Sequence, residues 1–406
     1  MNIISINKIS ELPSEIFLPS SKSISNRLLI LNALSGNRTD IMNLSNANDT
    51  KILKEILEEL KNKSEKYIFN VKNAGTTFRF LTAFLAAKEG VFEIQCDERM
   101  KKRPVEDLVN ALKTLGADIQ YLENEGFPPI RIKGKKLKST KLSINGNISS
   151  QFISALLMIG PTLPEGMSLF TDDNENSQSY IKMTLELLKK YGVKYGRLLS
   201  SLYTENQELK PPQNITVEAD WSAASVWYAF VSLISEAKVK LKDLQKNSIQ
   251  GDSKLSKIYS QIGVKTTFET DGIIIENSFT QPVDFIELDL IDSPDLTPTI
   301  AVNLCLLGIK YKLKGIKNLR FKESNRIEAI ISTLSKFGYS VENKTPDTLE
   351  WNGEQENVLF SDVLDSYDDH RIAMACSLFS TNQEIKISNP ECVEKSYPNF
   401  FETLVN

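Results

Sequence analysis

The stretch Leu115-Gly116-Ala117-Asp118-Ile119 decides the fold. It closes an amphipathic run that starts at Val105, puts Gly where a helix needs a left-handed residue to stop, and continues as a strand-like run. The same arrangement recurs at Tyr191-Gly192-Val193, Ile262-Gly263-Val264 and Phe337-Gly338-Tyr339, with the glycines 76, 71 and 75 residues apart. One such corner means nothing. Four at nearly constant spacing indicate duplicated α/β units of about 70 residues, of which a chain of 406 residues holds about five or six.

Helical spacing of apolar residues runs over Leu28–Leu34, Ile52–Leu60, Phe78–Ala87, Val105–Leu115, Gln151–Met158, Ile181–Tyr191, Ala223–Ile234, Leu255–Ile262, Thr297–Leu307, Ile327–Phe337 and Arg371–Ser380. Two of these, Ala223–Ile234 and Thr297–Leu307, are apolar nearly all round, which places them inside a domain. Between them lie strand-like runs such as Ile130–Ile132, Thr266–Glu269 and Gly272–Ile275, with hairpin turns at Glu125-Gly126 and Asp271-Gly272. The expected class is therefore α/β or α+β with central helices. The length calls for two domains or one large repeated one. The polar, proline-containing stretch Leu199–Asn214 is the best candidate for a nearby break.

Composition narrows the function. With 41% apolar and 25% charged residues the chain reads as soluble and globular. Its 48 basic and 52 acidic residues argue against a nucleic-acid binder that relies on overall charge. No apolar stretch reaches the length of a membrane helix, and MNIISINKIS lacks the apolar core of a signal peptide, so a cytoplasmic protein is expected. Cys96, Cys305, Cys376 and Cys392 are scattered, and a single histidine, His370, stands beside them, so neither zinc nor a disulfide framework is expected. With one histidine and no GxSxG, serine-hydrolase chemistry is disfavoured.

Cations gather instead in separated loops. Asn318 to Arg326 holds three of them, Arg320, Lys322 and Arg326, around Glu323, just before the helical run from Ile327. Lys and Arg oppose the helix dipole at that end, which suggests an anionic ligand. Pro19 to Arg27 packs four hydroxyls and two cations before a helix, a combination suited to phosphate or carboxylate without being a Walker A loop. Asn73-Ala74-Gly75-Thr76-Thr77-Phe78-Arg79 repeats the design with Gly75 where backbone can approach a ligand. Arg99 to Pro104 has four cations, and Ser149-Ser150-Gln151 offers neutral hydrogen-bond groups ahead of an apolar helix. Asp295 stands at the mouth of a buried helix, as N-cap or as general base. Each segment alone also reads as a capped helix or a solvated basic turn.

In order along almost the whole chain, SKSISNR, NAGTTFR, RMKKRP, SSQFISALLM, Ser177-Gln178-Ser179-Tyr180, SPDL, RFKESNR, DDHR and EKSYP resemble the 5-enolpyruvylshikimate 3-phosphate synthases, a family of enolpyruvyl transferases. Nine segments in the right order make the resemblance specific. It implies a two-domain inside-out α/β barrel, each domain made of three βαβαββ units with helices inside and sheets outside. It implies residues 1–19 plus 220–406 as one domain, 20–219 as the other, and an active site in the cleft between them. The implied reaction moves the enolpyruvyl group of phosphoenolpyruvate to the 5-hydroxyl of shikimate 3-phosphate through a tetrahedral intermediate, releasing phosphate, on the shikimate pathway to aromatic amino acids. Carried over by position, Lys22, Gly75, Arg103, Gln151, Arg326, Arg371 and Lys395 would hold phosphoenolpyruvate. Lys22, Ser23, Arg27, Ser149, Ser150, Gln151, Ser177, Tyr180, Asp295, Asn318 and Lys322 would hold shikimate 3-phosphate. Asp295 would take the hydroxyl proton, Glu323 would protonate the methylene carbon, and Lys22 would assist proton traffic. No cofactor and no metal are implied, and the partners are the two small anions, with no nucleic acid, no membrane and a monomeric chain.

The chain departs from the family pattern at Lys72 and Phe80, where glycine and proline are usual, and at Ser20 and Ser21. Lys72 and Phe80 are expected to reshape the phosphoenolpyruvate edge of the site. The related UDP-N-acetylglucosamine enolpyruvyl transferases use a loop cysteine, and Cys96 lies near that region but without their glycine-rich surroundings. RNA 3′-phosphate cyclase shares the fold and is disfavoured by charge. A non-catalytic binder would have little reason to keep Asp295, Glu323 and Lys22 together.

Overall fold

The computed structural model describes residues 2–62, 64, 66–138, 141–144, 149–171, 178–198, 201–278, 283–360 and 362–405. The chain divides into two compact units, one of residues 21–217 and one of residues 1–20 with 218–406. The break expected near Leu199–Asn214 falls just after that stretch, between Val217 and Glu218, and Ser201–Thr204 is a strand inside the first of these units.

In the 21–217 unit the helices are α1 (Lys22–Leu34), α2 (Asn48–Glu59), α3 (Gly75–Ala86), α4 (Glu106–Thr114), α5 (Ser150–Ile159) and α6 (Gln178–Lys190). Strand Tyr67–Asn70 runs parallel to Gly90–Gln95, which pairs antiparallel with Ile130–Gly134, and Asp118–Tyr121 completes that sheet. A second sheet repeats the order with Lys141–Ile144, Met167–Thr171, Ser201–Thr204 and Tyr195–Leu198. Each sheet is therefore one βαβαββ unit. The third is abbreviated, with Asn214–Thr216 parallel to Asp40–Met42 beside α1 and α2.

The other unit follows the same plan with α7 (Trp221–Leu233), α8 (Leu255–Ser260), α9 (Thr297–Leu306), α10 (Arg326–Ser335), α11 (His370–Ser377) and α12 (Phe400–Val405). Its sheets run Glu15–Ile16, Lys238–Lys242, Gly272–Asn277, Val264–Glu269 and then Phe285–Asp289, Lys310–Lys314, Thr348–Gln355, Tyr339–Glu342. A third sheet joins Val363–Leu364, Ile385–Ser388 and Ile3–Ile6. The expected helices are all present, and α12 is additional. The two that looked apolar all round are buried along nearly their whole length, from Trp221 to Val231 in α7 and from Thr297 to Cys305 in α9. Among the described residues no helix is long and apolar enough to cross a membrane.

Alternation in the strands explains why sheets lie outside and helices within. In Lys238-Val239-Lys240-Leu241-Lys242, Val239 and Leu241 are fully buried while the lysines face outward. There Lys240 pairs with Glu269 and Asp271 across the sheet. The equivalent strand of the next repeat, Lys310-Tyr311-Lys312-Leu313-Lys314, has the same pattern, with Lys312 paired to Glu350.

The four corner glycines all have left-handed φ, from +75° at Gly192 to +91° at Gly116. They stand at one topological position, between the second helix of a repeat and its third strand. Their surroundings differ. A Cβ on Gly116 would meet nothing within 4 Å, whereas one on Gly338 would lie 2.0 Å from the Glu356 carbonyl oxygen. Gly116→Ala should therefore cost only the left-handed penalty, about 1–2 kcal/mol. Gly338→Ala should cost more, because backbone must also move, and should lower the denaturation midpoint further than Gly116→Ala in a side-by-side chemical titration.

Candidate active site

The motif residues fall on the first turns of helices. α1 starts at Lys22, six residues before the apolar run, with Ser21 as N-cap accepting from the Ile24 N–H. α3 starts at Gly75 and α5 at Ser150, whose N-cap Ser149 accepts from the Gln151 N–H at 3.3 Å. These first turns are polar, so the hydrophobic period is silent there. Free N–H groups and the positive end of the dipole make such positions receptive to anions.

In the 21–217 unit, Lys22 Nζ lies 4.0 Å from the buried carboxylate of Asp49, near the start of α2. Arg103, from the basic loop, and Arg79 close over Gly75. A Cβ there would sit 2.6 Å from Arg103 Nη1 and 2.7 Å from Arg79 Nη1, so only glycine lets both guanidinium groups approach this backbone. Arg79 also donates to Gln151 Oε1 at 3.1 Å, and Gln151 Nε2 donates to Thr76 Oγ1 at 3.1 Å, which joins the starts of α3 and α5. Lys101, a neighbour of Arg103, pairs with Glu98 and Glu123 instead.

Arg27 is buried and is held by protein groups. Nε donates to Thr184 Oγ1 at 2.8 Å, Nη1 to the Ser23 carbonyl at 2.9 Å, and Nη2 to Ser154 Oγ and the Tyr180 carbonyl. Its guanidinium carbon lies 5.3 Å from the Phe80 ring and 5.8 Å from the Tyr180 ring. Burial pulls its pKa down to about 10. Phe80 thus packs under Arg27. Lys72 is exposed and takes the left-handed φ of +50° that suits the glycine usual there, with its N–H donating to Asn70 Oδ1. Ser177 lies outside the described residues.

The second constellation belongs to the other unit. Asn318 is half-buried in the 3-10 turn Lys317–Phe321, and the chain then runs extended through Lys322 to α10. Arg326, the first residue of α10, is only 1% exposed and meets three carboxylates. It forks onto Asp369 through Nε and Nη2 at 2.8 and 3.2 Å, reaches Asp295 Oδ1 through Nη1 at 2.8 Å, and reaches Glu323 Oε2 through Nη2 at 2.8 Å. Lys322 Nζ is 3.1 Å from Asp295 Oδ1, and Lys395 Nζ is 3.5 Å from Glu323 Oε1. Burial alone would lower the Arg326 pKa, but the charges of Asp369, Glu323 and Asp295 outweigh it and raise it. Burial would likewise raise Asp295, yet Lys322, Arg326 and Arg371 hold it well below the usual carboxylate range. Asp369 also caps α11, accepting the Arg371 N–H at 2.9 Å. Arg371 is itself buried, and its Nε and Nη1 meet no hydrogen-bond partner among the described residues.

A profile of the EPSP synthase family, 3-phosphoshikimate 1-carboxyvinyltransferase, matches residues 6–404. The chain belongs to that family. It is 40% identical over 402 residues to the 3-phosphoshikimate 1-carboxyvinyltransferase of Bacteroides fragilis strain YCH46, covering 97% of this chain and 95% of the relative. The Colwellia psychrerythraea protein of the same description is 33% identical over 437 residues, covering 100% of this chain and 99% of that relative. Among solved structures, an EPSP synthase from Acinetobacter baumannii superposes with a TM-score of 0.78 at 20% identity, over 99% of this chain and 97% of that one. The enolpyruvyl transferase NikO from Streptomyces tendae gives 0.76 at 12% identity, over 99% and 96%. These two likenesses bear on the fold alone and agree with the two-domain inside-out α/β architecture. As a member of the EPSP synthase family the chain is a transferase of the shikimate pathway.

Sequence reading missed several residues. Asp49 beside Lys22 and Asp369 beside Arg326 are partners that no local pattern announces, though Asp369 lies within DDHR. Arg79 lies within NAGTTFR and was given no role. Cys96, weighed against a loop-cysteine chemistry, is half-buried with its thiol pushed up to about 12, mainly by burial, which does not suit a nucleophile. Asp252 was not singled out at all. It is buried, accepts from Ser222 Oγ, and has its pKa pushed up to about 7, first by burial and then by the charge of Asp295.

A carboxyl whose folded pKa exceeds its unfolded value near 4 binds more protons when folded, so it destabilises the protein progressively as pH rises from about 4 to 7. Asp252→Asn removes this term while leaving an oxygen for Ser222. It should raise the denaturation midpoint at pH 8 and change it little at pH 4.5.

Proposed function

We infer that this chain transfers the enolpyruvyl group of phosphoenolpyruvate to the 5-hydroxyl of shikimate 3-phosphate. The observation that carries the assignment of residues is Arg371: a buried guanidinium whose Nε and Nη1 are unsatisfied among the described residues, and whose charge acts on Asp295 as that of buried Arg326 does, calls for an anionic ligand. Both substrates are polyanions. Lys22, Gly75, Arg103, Gln151, Arg326, Arg371 and Lys395 are assigned to phosphoenolpyruvate. Lys22, Ser23, Arg27, Ser149, Ser150, Gln151, Ser177, Tyr180, Asp295, Asn318 and Lys322 are assigned to shikimate 3-phosphate, and Arg27 also holds the Ser23 and Tyr180 carbonyls in place.

The chemistry needs a base on the hydroxyl and an acid at the methylene. Asp295, ionised between Lys322 and Arg326, takes the 5-hydroxyl proton as the oxygen adds to C2 of phosphoenolpyruvate. Glu323 delivers a proton to C3, giving a tetrahedral intermediate. Loss of a C3 proton and departure of phosphate then restore the double bond, with Lys22 assisting proton traffic. Cations around the phosphate stabilise charge that grows on the leaving group, a stabilisation worth more in a water-poor site. A monomer in the cytoplasm is part of this reading, and the four free thiols suit a reducing compartment.

Phosphate release from phosphoenolpyruvate should require shikimate 3-phosphate. Folded protein that releases none with both present would overturn the assignment. Glu323→Gln should leave both substrates bound, read by fluorescence or calorimetry, and lower turnover at least ~100-fold.

A further inference from the structure

The backbone just ahead of α11 is strained. Tyr367 and Asp368 both take left-handed φ, +53° and +46°, and the Asp369 N–H returns to the Ser366 carbonyl at 2.9 Å, which is the pattern of a type I′ turn. Aspartate tolerates this conformation, but a bulky residue rarely adopts it, and glycine or asparagine would fit the turn with less strain. The tyrosine side chain gives the reason for the strain. It is half-buried against the apolar core of its unit, and its hydroxyl donates to Ser332 Oγ on α10 at 2.9 Å. Resting on the reaction assigned above, we propose that Tyr367 is a positioning residue for phosphoenolpyruvate: it braces the start of α11 against α10 and so holds Asp369 and Arg371 in register with Arg326.

The brace has two arms. One is the fork of Arg326, the first residue of α10, onto Asp369. The other joins Tyr367 to Ser332, six residues and about 9 Å further along the same helix. A single contact lets the turn pivot about it, whereas two contacts separated along a helix fix direction as well as distance. The other side of the turn is anchored too. The Tyr367 N–H goes to Asp365 Oδ1 at 2.7 Å, the Asp368 N–H to Ser366 Oγ at 3.1 Å, and the Ser366 N–H to Ser388 Oγ at 3.4 Å, in the strand Ile385–Ser388. The residues next in the chain inherit this placement: Asp369 caps α11 by accepting the Arg371 N–H, and Arg371 lies in its first turn. A guanidinium recognises a compact anion through donors in a rigid plane, so its orientation matters. Asp295, assigned to the other substrate, is held by Lys322 as well as by Arg326 and depends less on the brace.

The test is kinetic. Phosphate release by the full chain is measured against each substrate with the other saturating, beside a chemical denaturation curve for each variant. Tyr367→Phe keeps the ring and the strained turn but removes the hydroxyl, Ser332→Ala removes the other end of the same bond, and Tyr367→Asn suits the left-handed backbone but lacks the ring. KM for phosphoenolpyruvate should rise about threefold or more in the first two and further in the third, while KM for shikimate 3-phosphate stays within about twofold. The double variant Tyr367→Phe with Ser332→Ala should be no worse than either single one, since both remove one bond. A tyrosine that only stabilised the fold would lower the denaturation midpoint without separating the two substrates. Unchanged KM for phosphoenolpyruvate in folded Tyr367→Phe and Ser332→Ala, or equal rises for both substrates, overturns the proposal, and these two variants decide it if Tyr367→Asn does not fold. When the unmodified chain releases phosphate as assigned and the variants show no split, the positioning role alone falls. An unmodified chain that releases none removes the reaction and the role together.

Discussion

Arg326 carries a full positive charge in a place that water hardly reaches, so its hydration must be replaced by carboxylates. They come from three separate segments: Asp295 before α9, Glu323 before α10 and Asp369 at the cap of α11. A buried ion set of this kind adds little to stability compared with well-packed apolar residues, and removing one member leaves another exposed to the full cost of desolvation. Its presence is better understood as positioning. Each carboxylate is fixed because the guanidinium offers donors in a rigid plane, and the segments that carry them are fixed in turn.

The repeated architecture supplies the places for such groups. A βαβαββ unit turns its helices inward and its strands outward, so each helix begins at the edge of a core. There, backbone N–H groups are unsatisfied and the dipole is positive. Within the 21–217 unit the quoted motifs occupy the starts of α1, α3 and α5, and within the other unit those of α10 and α11. Duplication thus gives several similar anion-receptive ends, and divergence of a few side chains on each decides which charge it accepts.

Much of this was legible in the sequence because it is local. A glycine in the left-handed region ends a helix wherever it occurs, so Gly116, Gly192, Gly263 and Gly338 reported the repeat without knowledge of the fold. The starts of α1 and α3 were placed too late, at Leu28 and Phe78, because the turns before them are built from Ser, Asn, Thr and Gly and carry no apolar period. What the sequence does not display is pairing at a distance. Asp49 with Lys22, Asp369 with Arg326, and Phe80 under Arg27 join residues 27 to 53 positions apart. Asp252 owes its raised pKa to burial and to Asp295, neither of which any single stretch reveals. Lys72 shows the converse, a departure from glycine that the backbone accommodates at the same positive φ.

The pairing of Ile3–Ile6 with Ile385–Ser388 has a further consequence for how the protein comes into being. Residues 21–217 form one contiguous compact unit, whereas the other unit needs segments from both sides of it. During synthesis, the first unit can gather its contacts while the second half of the chain is still being made. The strand at Ile3–Ile6 meanwhile waits for a partner about 380 residues away, with its apolar face and edge uncovered. Closure of the split unit is thereby deferred until nearly all of the chain has left the ribosome, which makes it the later and more aggregation-exposed half of assembly.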